Sequence, residues 1–236
     1  MKVYGRHAAH SLYKHRPEGI IRVYVTQETL FEFKPIIRYC VDNKLAYHVV
    51  TSEELDDITK ASHHEGVALL VKNRPTPEIK DIFQKKGVVL ALDGVENPHN
   101  LGAILRTCAH FGVKGVIYKA KVPVALTGAA YRTSEGGAEI IDSLHVQDWV
   151  TVLSEARSKG FEIYATSSHK GESLYETKFS ESALIFMGAE GEGLSSDLLK
   201  KITRHLQIPG TESVESLNVA SATAVILSEF YRQSLS

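Results

Sequence analysis

A chain of 236 residues is long for one compact domain and comfortable for two, each large enough to bury a core. Its composition, 43% hydrophobic and 23% charged with no low-complexity tract or repeat period, excludes disorder over most of the length. A formal net charge of −1 excludes a protein held to nucleic acid by bulk positive charge, so any basic surface has to be local.

The opening residues Met1 to Arg6 lack the apolar stretch of a signal peptide, and no apolar run approaches the roughly 20 residues that span a bilayer. A soluble, unprocessed chain with no membrane partner is expected. An amphipathic run from Gly5 to His15 predicts a helix, Ile20 to Val25 a strand, and Phe31 to Val41 a second helix. A short strand at Ala46 to Val50 follows. Thr51 with Glu54 three residues on is a capping-box pattern, and the helix it starts should carry Leu55 and Ile58 inward. Gly66 to Val71 is nearly continuous in apolar residues, as in a strand buried on both faces. Through Arg74 there are eleven Lys and Arg against nine Asp and Glu, a mild basic lean.

Arg74-Pro75-Thr76-Pro77 disfavours helix and cannot lie in a central strand, which puts a linker at 74–86 between a domain at 1–73 and another at 87–236. Val88 to Leu92 opens the second domain as a strand, followed by a helix from Asn100, a strand at Gly115 to Tyr118 and a helix from Val146 to Lys159. Phe161 to Ala165, Ala183 to Met187 and Leu206 to Ile208 are further strands, and Leu217 to Arg232 is the last helix. Such alternation predicts a parallel sheet. The two cysteines, Cys40 and Cys108, lack the paired spacing of a zinc site or a disulfide framework, and a reducing, cytoplasmic location fits.

Three segments carry candidate chemistry. In Glu96-Asn97-Pro98-His99-Asn100-Leu101-Gly102-Ala103-Ile104-Leu105-Arg106, Asn100 is placed to cap a helix whose apolar stripe is Leu101, Ile104, Leu105 and Cys108. Gly102, Arg106 and His110 recur every fourth residue on another face, so Arg106 should point away from the core with little bulk one turn before it. Read alone, a cap and a solvated arginine account for this segment. In Met187-Gly188-Ala189-Glu190-Gly191-Glu192-Gly193-Leu194-Ser195, three glycines permit positive φ and close approach of a nucleoside-sized ligand to bare backbone, although a plain strand-to-helix loop would look similar. It is neither a dinucleotide fingerprint nor a P-loop. The third is Ile208-Pro209 followed by Ser216-Leu217-Asn218-Val219-Ala220, where Ser216 is a candidate cap and Asn218 a half-buried amide in the first turn that needs specific partners.

In this order and spacing, the three segments resemble the SpoU (TrmH) family of RNA ribose methyltransferases in the SPOUT superfamily, over roughly Val88 to Gln233. Tyr4-Gly5-Arg6-His7-Ala8 and His63-His64-Glu65-Gly66-Val67 are similar to the ends of the small α/β RNA-binding domain many members carry. The resemblance implies an α/β fold: a trefoil-knotted parallel-sheet catalytic domain, the knot spanning about Phe161 to Ala222, preceded by a small α/β RNA-binding domain. It implies methyl transfer from S-adenosylmethionine to a ribose 2′-hydroxyl of ribosomal or transfer RNA by a homodimer, with no metal and no DNA partner. It places adenosine against Thr166, Gly188, Ile208 and Leu217. Arg106 would act on the hydroxyl as base or orienter; because a free guanidinium stays protonated, phosphate binding and orientation are as plausible. Asn100 would contact RNA or position Arg106, and Glu190, Ser216 and Asn218 would complete the shell around ribose and cofactor. Gly210 stands where methionine is common and Glu212 where glycine is common, and Ser134 to Glu139 departs from the usual Ser-Ala-Gly-Ala run. The alternative is an RNA-binding protein that keeps the fold without activity. Removing residues 1 to about 75 is expected to weaken RNA binding and leave the remainder folded.

Overall fold

A computed structural model describes residues 1–120, 127–189, 191–211 and 213–235. The first 75 residues run β1 (Lys2–Tyr4), α1 (Arg6–His15), β2 (Ile20–Val25), α2 (Lys34–Asp42), β3 (Ala46–Val49), α3 (Ser52–Thr59) and β4 (Val67–Val71). There follow α4 (Ile79–Ile82), β5 (Val88–Asp93), α5 (Pro98–Phe111), β6 (Gly115–Lys119), then α6 (Gly128–Thr133) and α7 (Gly137–Ile140). The chain continues through β7 (Ser143–His145), α8 (Val150–Ser158), β8 (Glu162–Thr166), β9 (Glu172–Ser173), β10 (Ala183–Gly188), α9 (Ser196–Leu199), β11 (Arg204–Gln207) and α10 (Val219–Ser234). Among the described residues no helix is long and apolar enough to cross a membrane.

Two compact units result, and they do not divide the chain at a single linker. Residues 125–140 belong with 1–75, whereas 76–124 and 141–236 make the second unit. Within the stretch expected to link domains, Ile82 and Phe83 are buried, and Phe83 packs edge-on against Phe161 at 5.0 Å. Apolar side chains flanked by charge were enough to fold half of that stretch onto the second core.

The first unit is a four-stranded sheet in the order β1-β4-β2-β3, antiparallel except for the parallel pair of β2 and β3. One face carries Val3, Val23, Val25, Val67 and Leu69, all fully buried beneath α1 and α2, which contribute Leu12, Ile36 and Cys40. The other face is covered only in part: α3 packs Leu55 against Tyr4 and Ala68. The capping box that starts α3 is formed in full by Thr51 and Glu54. Strand β3 is exposed along its whole length, as an edge strand.

α6 and α7 close this unit. A Cβ on Gly128 would lie 2.3 Å from the Tyr4 ring, so only glycine lets α6 come this near β1. The guanidinium of Arg16 donates to both carboxylate oxygens of Glu139 at 3.1 and 3.0 Å and to the carbonyl of Lys72 at 2.9 Å. Glu139 has no exposed side-chain surface and Arg16 only 10%. Arg74 donates to the carbonyl of Ala138, and burial with the Glu139 carboxylate nearby pushes the Tyr131 phenol up to about 12. The run that departs from the family's usual sequence is therefore built into the first unit.

In the second unit, seven parallel strands are ordered β7-β6-β5-β10-β8-β11-β9. Val88 to Leu92 and Ala183 to Met187 are buried at every position, as expected of strands covered on both faces. Val89, Ala91, Leu184 and Phe186 join a core with Trp149, Val152 and Leu153 of the α8 region and with Phe161 and Ile202. The Leu90 and Leu92 side is left to α5 and α10, which pack on each other. At the far edge, Arg204 pairs with Glu162 and with Glu172 and lies 4.7 Å over the Tyr164 ring, tying β8, β11 and β9 together.

Candidate active site

Ligands of open parallel sheets sit outside the carboxyl ends of the strands, where the strand order reverses. Here β6 and β7 extend from one side of β5, and β10, β8 and β11 from the other, so the reversal falls between β5 and β10. Gly188 and Asp93 are register partners there. Trp149 donates its indole N–H to Asp93 Oδ1 at 2.9 Å, and Gly94 N–H bonds to the Lys119 carbonyl, fixing the turn that leaves β5. Nothing in the sequence pattern pointed to Trp149. A carboxylate ending an apolar strand was the available signal that some donor must be near.

Thr166 ends β8, Gly188 ends β10, and Ile208 follows β11, so three of the four proposed cofactor contacts gather on one edge of the sheet. Thr166 Oγ1 donates to the Phe186 carbonyl at 2.9 Å, which locks the ends of β8 and β10 together. A Cβ on Gly188 would stand 2.3 Å from the carbonyl carbon of Gly193 and 2.6 Å from the amide of Leu194. The loop folds back over the strand end, with Gly193 N–H bonded to the Ala189 carbonyl and Leu194 buried in the core. Gly188→Ala must therefore move backbone. We expect it to cost about 1–3 kcal/mol of stability and to weaken cofactor binding at least tenfold, as checked by denaturant unfolding and by calorimetric titration. Wild-type values in both would contradict this account of the loop. Glu190 and Glu212 lie outside the described residues.

The helix of the first segment starts earlier than expected. Asn97, not Asn100, is the cap, accepting from His99 N–H at 2.9 Å, because Pro98 lacks an N–H and suits the first helical position. Asn100 is instead half-buried in the first turn. The stripe of Leu101, Ile104, Leu105 and Cys108 is buried as expected; burial pushes the Cys108 thiol up and leaves it no thiolate character. Arg106 and His110 are exposed, but Gly102, expected on their face, is buried. Positions four apart drift by about 40° around a helix, and a glycine has no side chain to carry it clear of its neighbours.

The cap of α10 is also corrected. Asn218, not Ser216, accepts from Ala220 N–H at 2.9 Å and Ser221 N–H at 3.3 Å. It is exposed rather than half-buried, since the cap position precedes the first buried residue, Val219. Its Nδ2 donates to Asn100 Oδ1 at 3.2 Å, across 118 residues of chain. One amide thus caps the last helix with its oxygen and orients Asn100 with its nitrogen. Leu217, 46% exposed, and Ser216, also exposed, lie in the loop just before this cap.

The SpoU rRNA Methylase family matches residues 87–228, and the RNA 2′-O ribose methyltransferase substrate-binding family matches residues 2–77. An uncharacterized tRNA/rRNA methyltransferase of Escherichia coli O157:H7, YfiF, is 38% identical over 98% of the chain, which spans 68% of that protein. A 23S rRNA (guanosine-2′-O-)-methyltransferase of Bordetella pertussis, RlmB, is 33% identical over 97% of the chain and 96% of its own length. The fold matches that of the SpoU methyltransferase AviRb of Streptomyces viridochromogenes, solved in complex with AdoMet, with a TM-score of 0.82 at 22% identity, covering 100% of this chain and 91% of that one. The chain belongs to the SpoU rRNA Methylase family and carries, ahead of its methylase region, the substrate-binding region of RNA 2′-O-ribose methyltransferases.

Proposed function

We propose that the chain transfers the methyl group of S-adenosylmethionine to a ribose 2′-hydroxyl of ribosomal or transfer RNA, as a cytoplasmic homodimer. The observation that carries this reading is the placement of Thr166, Gly188 and Ile208 at or just beyond the carboxyl ends of three neighbouring parallel strands, β8, β10 and β11, beside the β5/β10 reversal. The residues there fit the donor. A bare Gly188, packed where no Cβ fits, and the peptide groups at the strand ends offer hydrogen-bonding backbone to an adenine edge, with half-buried Ile208 beside them. When bound, S-adenosylmethionine would supply a methyl group on a sulfonium; the hydroxyl oxygen that takes it must be aligned with the methyl and must give up its proton, to a group at the site or to water, as the neutral thioether leaves.

The protein's own residues provide that alignment. Asn100, oriented by Asn218, contacts the RNA or holds the approach to Arg106. Arg106 grips a phosphate, or acts on the hydroxyl as base or orienter. Glu190, Ser216 and Asn218 complete the polar shell around ribose and cofactor, and Leu217 covers the adenosine. The passage of the chain from β10 to β11 across β8, which lies between them, supports a knotted path from about Phe161 to Ala222. Exposed Tyr231 and Leu235 on and after α10, with Val214 and Leu217 before it, support a subunit contact. The first unit binds the RNA.

Calorimetric titration with S-adenosylmethionine, and transfer of a tritiated methyl group to total cellular RNA, test the proposal. We expect saturable binding and label at ribose, read as resistance of the adjacent phosphodiester to alkali. No heat of binding at millimolar cofactor would leave the RNA-binding protein without activity as the better reading.

A further inference from the structure

The first unit's sheet is open on one half of one face. Register places Lys2, Leu70, Arg22 and Ala46 in one row across the four strands and Tyr4, Ala68, Tyr24 and His48 in the next. α3 covers Tyr4 and Ala68, but Arg22, Ala46 and His48 are exposed and Tyr24 is half-buried. The rings of Tyr24 and His48 lie with planes 20° apart and centroids 5.5 Å apart. Arg22 donates to the Tyr24 hydroxyl at 3.4 Å, and exposed Lys2 is held at the rim by the Ile58 carbonyl.

An aromatic pair on an open sheet, flanked by cations, has the chemistry that receives nucleobases: a π surface for the base and positive charge for the phosphates beside it. Bases inside a duplex are already stacked and cannot lie on such a surface. We infer that Arg22, Tyr24 and His48, with Lys2 at the rim, form a stacking platform for unpaired bases of single-stranded RNA. This rests on the reading that the first unit binds RNA and adds what part of the RNA it takes. The platform selects a loop or unpaired strand, while the methyl-transfer site selects the ribose. Of the two rings, His48 is exposed and Tyr24 is half-buried, with its other contacts to the Leu55 cluster.

The test is fluorescence anisotropy of the full chain with a short unstructured oligoribonucleotide and, separately, with a duplex of the same length. We expect tighter binding of the single strand, and a loss of about tenfold or more when Tyr24→Ala and His48→Ala are combined. Tyr24→Phe, which keeps the ring, should bind as wild type, and Arg22→Glu should weaken binding through charge. Because Tyr24 also touches the Leu55 cluster, His48→Ala alone, at an exposed position, keeps the test valid if the pair misfolds. S-adenosylmethionine affinity should not change in any of these variants. Single-strand binding that is insensitive to both ring replacements, or a duplex bound as tightly as the single strand, overturns the platform while sparing the RNA-binding reading. Failure of the wild-type chain to bind any RNA overturns both.

Discussion

Arg106→Ala should reduce methyl transfer by about a hundredfold or more while leaving S-adenosylmethionine affinity close to wild type. The side chain is exposed on α5, on the side away from the buried stripe of Leu101, Ile104, Leu105 and Cys108. The replacement leaves that buried stripe intact, and a urea unfolding midpoint measured beside turnover separates lost activity from lost stability. The magnitude follows from removing one fixed cationic donor from a developing negative charge or a positioned phosphate, worth about 3–4 kcal/mol in comparable sites. Arg106→Lys should restore only part of the rate, because an ammonium lacks the planar fork that orients two oxygens at once. Single-turnover transfer with saturating RNA measures the first effect and calorimetry the second. Wild-type turnover by Arg106→Ala would remove this residue from the mechanism.

Glu139→Ala should cost the first unit about 3–5 kcal/mol, the loss typical when one member of a buried ion pair is removed and the other remains. Arg16 would keep its bond to the Lys72 carbonyl but lose both carboxylate oxygens in a place where it has almost no access to water. The combined replacement Arg16→Met with Glu139→Leu should be far milder, since it removes both charges and leaves apolar volume behind. Urea unfolding followed by circular dichroism, with hydrogen exchange of the β2 and β4 amides, separates the two. Equal midpoints for wild type and Glu139→Ala would show that the pair contributes nothing to the unit.

The strands of both sheets were legible in the sequence wherever an apolar run was long or a cap was explicit. β2, β3, β5, β6, β8 and β10 fall within a residue or two of expectation, and Thr51 with Glu54 marked α3 because both halves of the box lie in the sequence. The two displaced caps, Asn97 and Asn218, share a cause: each segment offers two polar candidates a few residues apart, and the choice was made by the proline and by the first buried residue that follows. Short elements such as β7, β9, α7 and α9 have too few residues for any period to register. In the site, the order of the glycine loop and the strand ends could be read, but the Asn100–Asn218 bond and the Asp93–Trp149 bond join residues far apart in the chain, and no local pattern encodes such a pairing.

The membership of residues 125–140 in the first unit also bears on how that unit is made. Its central guanidinium and the carboxylate that neutralises it are separated by 123 positions, with β5, α5 and β6 in between. During synthesis, the leading 75 residues can pair their strands as soon as they emerge, but they must wait for another 65 residues before α6 and α7 arrive to cover Tyr4 and to meet Arg16. Emerging at about 5–20 residues per second, that interval lasts on the order of seconds, a window in which a half-finished sheet with an uncompensated buried charge is exposed to chaperones. The same discontinuity changes what truncation does. Cutting away residues 1 to 75 strips Tyr131, Ala138 and Glu139 of the surroundings that bury them, so the shortened protein carries a sticky, acidic remnant rather than a clean catalytic module.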